Sequence, residues 1–131
     1  MAQLIQAFSA YGPRLELSRT VQPSQIAEYI AARTSLNRGE IENVLTELNE
    51  AIAFFARQGA PVKLGGVGIF TPSIKLSGAL DVGLRLDTSI DAALNVPGAF
   101  TGSVKNGENV GKSSDELKAM WNEDHPDDPI P

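Results

Sequence analysis

The stretch Val62-Lys63-Leu64-Gly65-Gly66-Val67-Gly68-Ile69-Phe70 decides the fold. Val62, Leu64 and Phe70 share one parity and Val67 and Ile69 the other, which is the period of a β-run with both faces at least partly covered. Gly65, Gly66 and Gly68 interrupt it, and glycine inside such a run marks a bulge, a bend or the close approach of another backbone.

Upstream of this run the period is helical. Asn37 can cap a helix of about 20 residues, Glu40 completes a capping box three residues on, and Gly59 closes it. Ile41, Val44, Leu45, Leu48, Ile52 and Phe55 fall in one stripe, the mark of a helix with one buried face. Phe54 falls outside that stripe, so its ring wants a second surface, either elsewhere in the chain or on a partner subunit. A singly exposed phenylalanine is the plainer reading. Before this helix, Pro23 suits a first helical turn, and Ile26, Tyr29 and Ile30 follow at helical spacing, which predicts a helix over about 23–33. Leu15 to Arg19 alternates after Gly12-Pro13 and suits a short strand.

Downstream, residues 74–86 read as a hairpin. Ile74, Leu76, Val82, Leu84 and Leu86 have even parity, so even must face even, and a three-residue loop at Gly78 to Leu80 sets Leu76 opposite Val82 and Ile74 opposite Leu84. The other face, from Ser73 through Lys75, Asp81 and Arg85 to Asp87, is polar and neutral. A short helix through Ala92 to Leu94 ends at Pro97-Gly98. Residues 101–112, rich in glycine and asparagine, read as a flexible connector. Ser113 and Glu116 then cap a short helix whose Leu117, Met120 and Trp121 share one face, expected to dock on this chain or on a protein partner. His125 to Pro131 reads as extended. The expected division is a domain over 1–100 and a tail over 101–131.

The chain has 131 residues, 42% apolar and 21% charged, the composition of a folded domain able to build a core without staples. It has no cysteine, which excludes thiol catalysis, thiolate zinc sites and disulfides, and favours the cytosol. No apolar run is long enough for a transmembrane helix, and Met1 to Ala10 lacks the pattern of a secretion signal, so no membrane role is expected and the N-terminus should be retained. Up to Lys105 the chain carries nine acidic and nine basic residues, whereas residues 106–131 carry seven acidic and two basic. The body is neutral, the tail is acidic, and neither offers the basic stripe of a strong nucleic-acid binder.

Helix, long helix, Gly-rich strand and hairpin, in that order, resemble the bacterial histone-like HU and integration host factor family of DNA-bending proteins. The string VKLGGVGIF carries the likeness, with Gly66, Val67, Gly68 and Phe70 standing where the family has a Gly-aromatic-Gly segment and a phenylalanine. The similarity covers about residues 20–96 and is closest to divergent HU-like domains with an extra N-terminal strand and a C-terminal extension. It implies an α+β fold of HU/IHF type, with two N-terminal helices, a small antiparallel sheet and short C-terminal helices. It also implies a cytoplasmic, nucleoid-associated homodimer, with Leu48, Ile52, Phe54, Phe55, Ile69 and Phe70 at the dimer interface.

The departure from the family pattern is the basic β-arm with its wedging proline. Only residues 71–81 are available for an arm here, with one lysine and no Arg-Asn-Pro tip, and Pro72 lies too close to the strand to serve. If duplex DNA is bound, Lys75 and Arg85 on the hairpin's polar face are the first phosphate-contact candidates, helped by Lys63 and Lys105. Few contacts mean weak, non-specific, salt-sensitive binding. A dimeric structural or protein-interaction module that has lost DNA binding is the alternative. No enzyme, cofactor or metal is expected: His125 beside Asp124 and Asp127 reads as a solvated tail residue, Asp127 and Asp128 as solubilisers, and GGVGIF lacks the full dinucleotide fingerprint.

Overall fold

The computed structural model describes residues 2–131 and leaves out Met1, the first residue of the segment read against a secretion signal. The chain divides into two compact units, residues 20–100 and the N-terminal residues to Arg19 together with Thr101–Pro131. This differs from a boundary at residue 100 alone, because the N-terminal residues group with the tail.

The 20–100 unit begins with α2 (Pro23–Ala31) and α3 (Arg38–Arg57). Pro23 stands in the first turn of α2, where no amide donor is needed. Asn37 caps α3 by accepting from the Glu40 amide at 2.8 Å, and Gly59 follows the helix with a left-handed φ of 76°. The two helices pack together and bury Ala27 and Ile41. Arg38 lies 3.7 Å from Glu28 and 3.8 Å from Glu42, exposed pairs that add little stability.

The Gly-rich run folds back on itself as two strands, β2 (Val62–Leu64) and β3 (Gly68–Ile74). The Val67 amide donates to the Leu64 carbonyl at 3.0 Å, closing a turn in which Gly66 takes φ 77°. Gly68 answers the other half of the glycine pattern: a Cβ there would lie 2.5 Å from the Arg85 carbonyl oxygen of the neighbouring strand. β4 (Leu80–Leu86) completes an antiparallel sheet of order β2-β3-β4. Asp87 then caps α4 (Thr88–Leu94) through the Ser89 amide.

The hairpin register corrects the expected one. Ile74 faces Leu80, Pro72 faces Val82 and Phe70 faces Leu84, so even faces even as the apolar pattern requires, but β3 is displaced by four residues. The reason is the place of the turn: the first arm ends at Ile74 and the second begins at Leu80, whereas the expected loop began at Gly78. The loop is Lys75 to Ala79, closed by the Lys75 amide on the Ala79 carbonyl and the Gly78 amide on the Lys75 carbonyl, both at 2.9 Å. Leu76 therefore leaves the sheet and is fully exposed at the tip.

The second unit pairs α1 (Leu4–Tyr11) with α5 (Ser114–Asp124), and β1 (Arg14–Glu16) with β5 (Ser103–Lys105). Ala2, Ala7, Leu117 and Ile130 form its core, with Tyr11, Met120 and Trp121 packed around it. α1 is additional to the expected elements, and β1 overlaps the strand read after Gly12-Pro13. Residues 101–112 are not a structureless connector: after β5 comes a 3-10 turn over Gly107–Asn109. Asn106 donates to the Ala10 and Gly12 carbonyls at 3.1 Å and Asn109 to the Tyr11 carbonyl at 2.7 Å. These side chains satisfy backbone groups where no strand does.

The tail helix docks on its own chain. Ser113 caps α5 through the Glu116 amide at 3.2 Å. The Trp121 indole stacks on His125 at 3.8 Å and donates to the Asp128 carbonyl at 2.8 Å. Asn122 exchanges two hydrogen bonds with the Ile130 backbone, and Ile130 is buried, so the closing residues fold back on α5.

Candidate nucleic-acid interface

The three-stranded sheet separates two chemistries. Its even residues, among them Val62, Phe70, Val82 and Leu84, form an apolar face on the α3 side, where Ala53 and Ala56 line a shallow groove with Pro72, Leu80 and Val82. Its odd residues form the polar face. There Lys63 stands directly opposite Ile69, and Ile69 directly opposite Arg85. Residues directly opposite in an antiparallel pair point the same way, so the two cations flank one isoleucine on strands about 10 Å apart. Thr71 and Ser73 continue the face along β3, and both cations are exposed and, among the described residues, outside any salt bridge.

Asp87 lies at the end of this row. Hydrogen bonds from the Ser89 hydroxyl and amide hold its carboxyl below the usual carboxylate range, and the nearby Lys63 adds attraction in the same direction. Lys63, Gly68, Ile69, Arg85, Asp87 and Thr88 line one shallow concavity. Lys63, Lys75 and Arg85 against Asp81 and Asp87 leave the hairpin face with one net positive charge.

Only part of the expected cation set is brought together. Lys63 and Arg85 share one row, on either side of Ile69. Lys75 sits in the hairpin turn, six residues along β3 from Ile69 and so about 20 Å from that row, rather than beside Arg85. The displaced register is the cause. Lys105 belongs to the other unit, on β5 opposite Arg14.

The expected interface residues also divide. Leu48 and Ile52 are half-buried along α3, and Phe54 and Phe55 meet edge to face at 5.2 Å, with Phe54 54% exposed. Phe70 lies on the apolar sheet face, opposite Leu84. Ile69 lies on the polar face between the two cations, because adjacent strand residues point to opposite sides. Thr71 and Ser73 were legible as partners of Lys63 and Arg85 from the period-two continuation of Ile69, once β3 was known to start at Gly68.

Among the described residues no helix is long and apolar enough to cross a membrane. No curated protein matches the chain. A family model, HU-HIG, described as an HU domain fused to wHTH, Ig, or Glycine-rich motif, matches residues 7–84, more than half of the chain. HU-like domains are non-enzymatic, nucleoid-associated proteins that bind DNA and dimerise, and the α+β order of helices and antiparallel strands agrees with that fold. With two helices, the glycine-bent sheet and the family match in agreement, the chain belongs to the HU-HIG family of HU-domain proteins.

Proposed function

We propose that this protein is a homodimeric, nucleoid-associated architectural protein that holds duplex DNA weakly and without sequence preference on the polar face of its sheet. The observation that carries this reading is the division of that sheet: Lys63 and Arg85 flank Ile69 on one face, while Val82, Leu84 and Leu86 on the apolar face stay exposed. In the 20–100 unit Ala27 and Ile41 are the buried hydrophobic residues, whereas Phe54, Phe55, Val82, Leu84 and Leu86 are all exposed. Large apolar side chains left exposed in such number suit an interaction site, and obligate subunit interfaces are large and apolar. A second copy, meeting the first through Leu48, Ile52, Phe54, Phe55 and Phe70, would supply the missing core.

The DNA reading rests on few charges. Each neutralised phosphate contributes a salt slope of about −0.9, so two or three cations per subunit give modest affinity that fades at moderate salt. The tip from Lys75 to Ala79 holds no proline, so kinking by a proline wedge has no residue here to perform it. Fluorescence anisotropy with labelled duplex at about 50 mM salt tests the reading. Binding that disappears by about 200 mM salt is expected. No binding to straight or bent duplex at 50 mM salt would instead support a dimeric structural or protein-interaction module, the reading favoured by Asp81 and by the ionised Asp87 beside Lys63.

A further inference from the structure

The sequence of β4, Leu80-Asp81-Val82-Gly83-Leu84-Arg85-Leu86, is complementary to itself when reversed. We propose that the free edge of β4 pairs antiparallel with β4 of a second copy of this chain, about a two-fold axis through Gly83. The pairing extends the proposed homodimer: each dimer carries two such edges, so edge pairing links dimers into chains.

β4 is an edge strand of seven residues in the order β2-β3-β4, and every residue in it is exposed. The backbone has the polarity that the pairing needs. The Asp87 amide bonds to the Val67 carbonyl and the Lys75 amide to the Ala79 carbonyl, so odd positions serve the β3 side. The Val82 amide points away and donates to the carboxylate of the preceding residue, Asp81, at 2.9 Å. Even positions therefore present the free edge. A long apolar edge with unpaired backbone groups is a template for another strand.

The charges select the register. With Gly83 opposite Gly83, Val82 meets Leu84 and Leu80 meets Leu86, all even positions, giving hydrogen-bonded pairs. Asp81 then meets Arg85 of the second copy, twice, in non-hydrogen-bonded pairs where side chains approach closest. Sliding by two residues one way sets Asp81 against Asp87, and the other way sets Arg85 against Ala79. The first is repulsive and the second loses both ion pairs. In the matched register the Val82 amide passes from its neighbour's carboxylate to a carbonyl of the second copy, and that carboxylate turns to Arg85. The contact is isologous, as a two-fold interface must be.

Sedimentation equilibrium without DNA tests the proposal on the full chain. The wild type should show species heavier than two chains that grow with concentration. Val82→Pro, which removes an outward amide and no ladder bond to β3, should abolish them. Asp81→Arg and Arg85→Asp should each lose the larger species alone, while an equimolar mixture of the two should recover them, since each restores the other's opposite charge. That recovery also shows that both variants fold. A wild type that stops at two chains at its highest soluble concentration overturns the pairing and leaves the dimer reading intact, provided Phe54→Asp breaks that dimer. Larger species indifferent to Val82→Pro and to both charge reversals overturn it as well. A two-chain species broken by Val82→Pro but not by Phe54→Asp keeps the edge pairing and removes the dimer built on α3.

Discussion

The Tyr11 hydroxyl donates a hydrogen bond to the Asp124 carboxylate, joining the end of α1 to the last turn of α5 across most of the chain's length. The phenol is held above its ordinary value near 10 by that bond first, then by desolvation and by the Asp124 charge. A group whose folded value is raised contributes stability that is fully present below its unfolded value and is lost as pH rises through the folded one. The unit containing Trp121 should therefore loosen above a pH of about 10. Indole fluorescence during thermal melts should show this alkaline loss in the wild type. Tyr11→Phe should melt lower at neutral pH and lack the Tyr11 component of the loss.

Phe54 is the residue through which the dimer is most directly tested. Its ring is more than half exposed and, among the described residues, meets the ring of Phe55 alone. In a Val82→Pro background, where β4 edge pairing is blocked, Phe54→Asp should shift the sedimentation mass from two chains toward the 13.9 kDa of one, because a carboxylate cannot be buried unpaired at an apolar interface. A wild type that remains one chain at high concentration would remove the dimer altogether.

Gly68 fixes the register of β3 against β4. Because a Cβ would meet the Arg85 carbonyl at 2.5 Å and the Leu84 side chain at 2.9 Å, Gly68→Ala must push the strands apart. A loss of about 1–3 kcal/mol is expected from urea unfolding, the usual cost of forcing atoms into a packed site. Unchanged stability would mean that the strands do not approach this closely.

For DNA, the slope of log affinity against log salt counts contacts. Lys63→Ala and Arg85→Ala should each reduce the slope's magnitude by about one per contact removed, with affinity falling alike on unrelated sequences. A sequence-dependent loss would point to base contacts and against a backbone-only mode.

Much of the 20–100 unit is legible in the sequence. Asn37 and Glu40 announce the start of α3 and Gly59 its end, because capping satisfies backbone groups within a few residues of themselves. The odd placement of Phe54 and the even-with-even rule for the hairpin are likewise properties of a single helix or strand period. What periodicity left open was the offset: any shift by an even number preserves parity, so Lys75 near Arg85, and Lys63 and Arg85 on either side of Ile69, are equally consistent with the pattern.

The chain alone thus determined which residues form α3, which face of the sheet is apolar, and that the tail helix begins at Ser113. Only tertiary structure decided that Gly66 turns the glycine-rich run back, that Gly68 locks Phe70 against Leu84, and that Asn106 and Asn109 fasten residues 101–112 to Ala10, Tyr11 and Gly12. Caps and periods act between near neighbours and leave local marks. Register and pairing across ninety or more residues depend on backbones meeting in space, which no local pattern records.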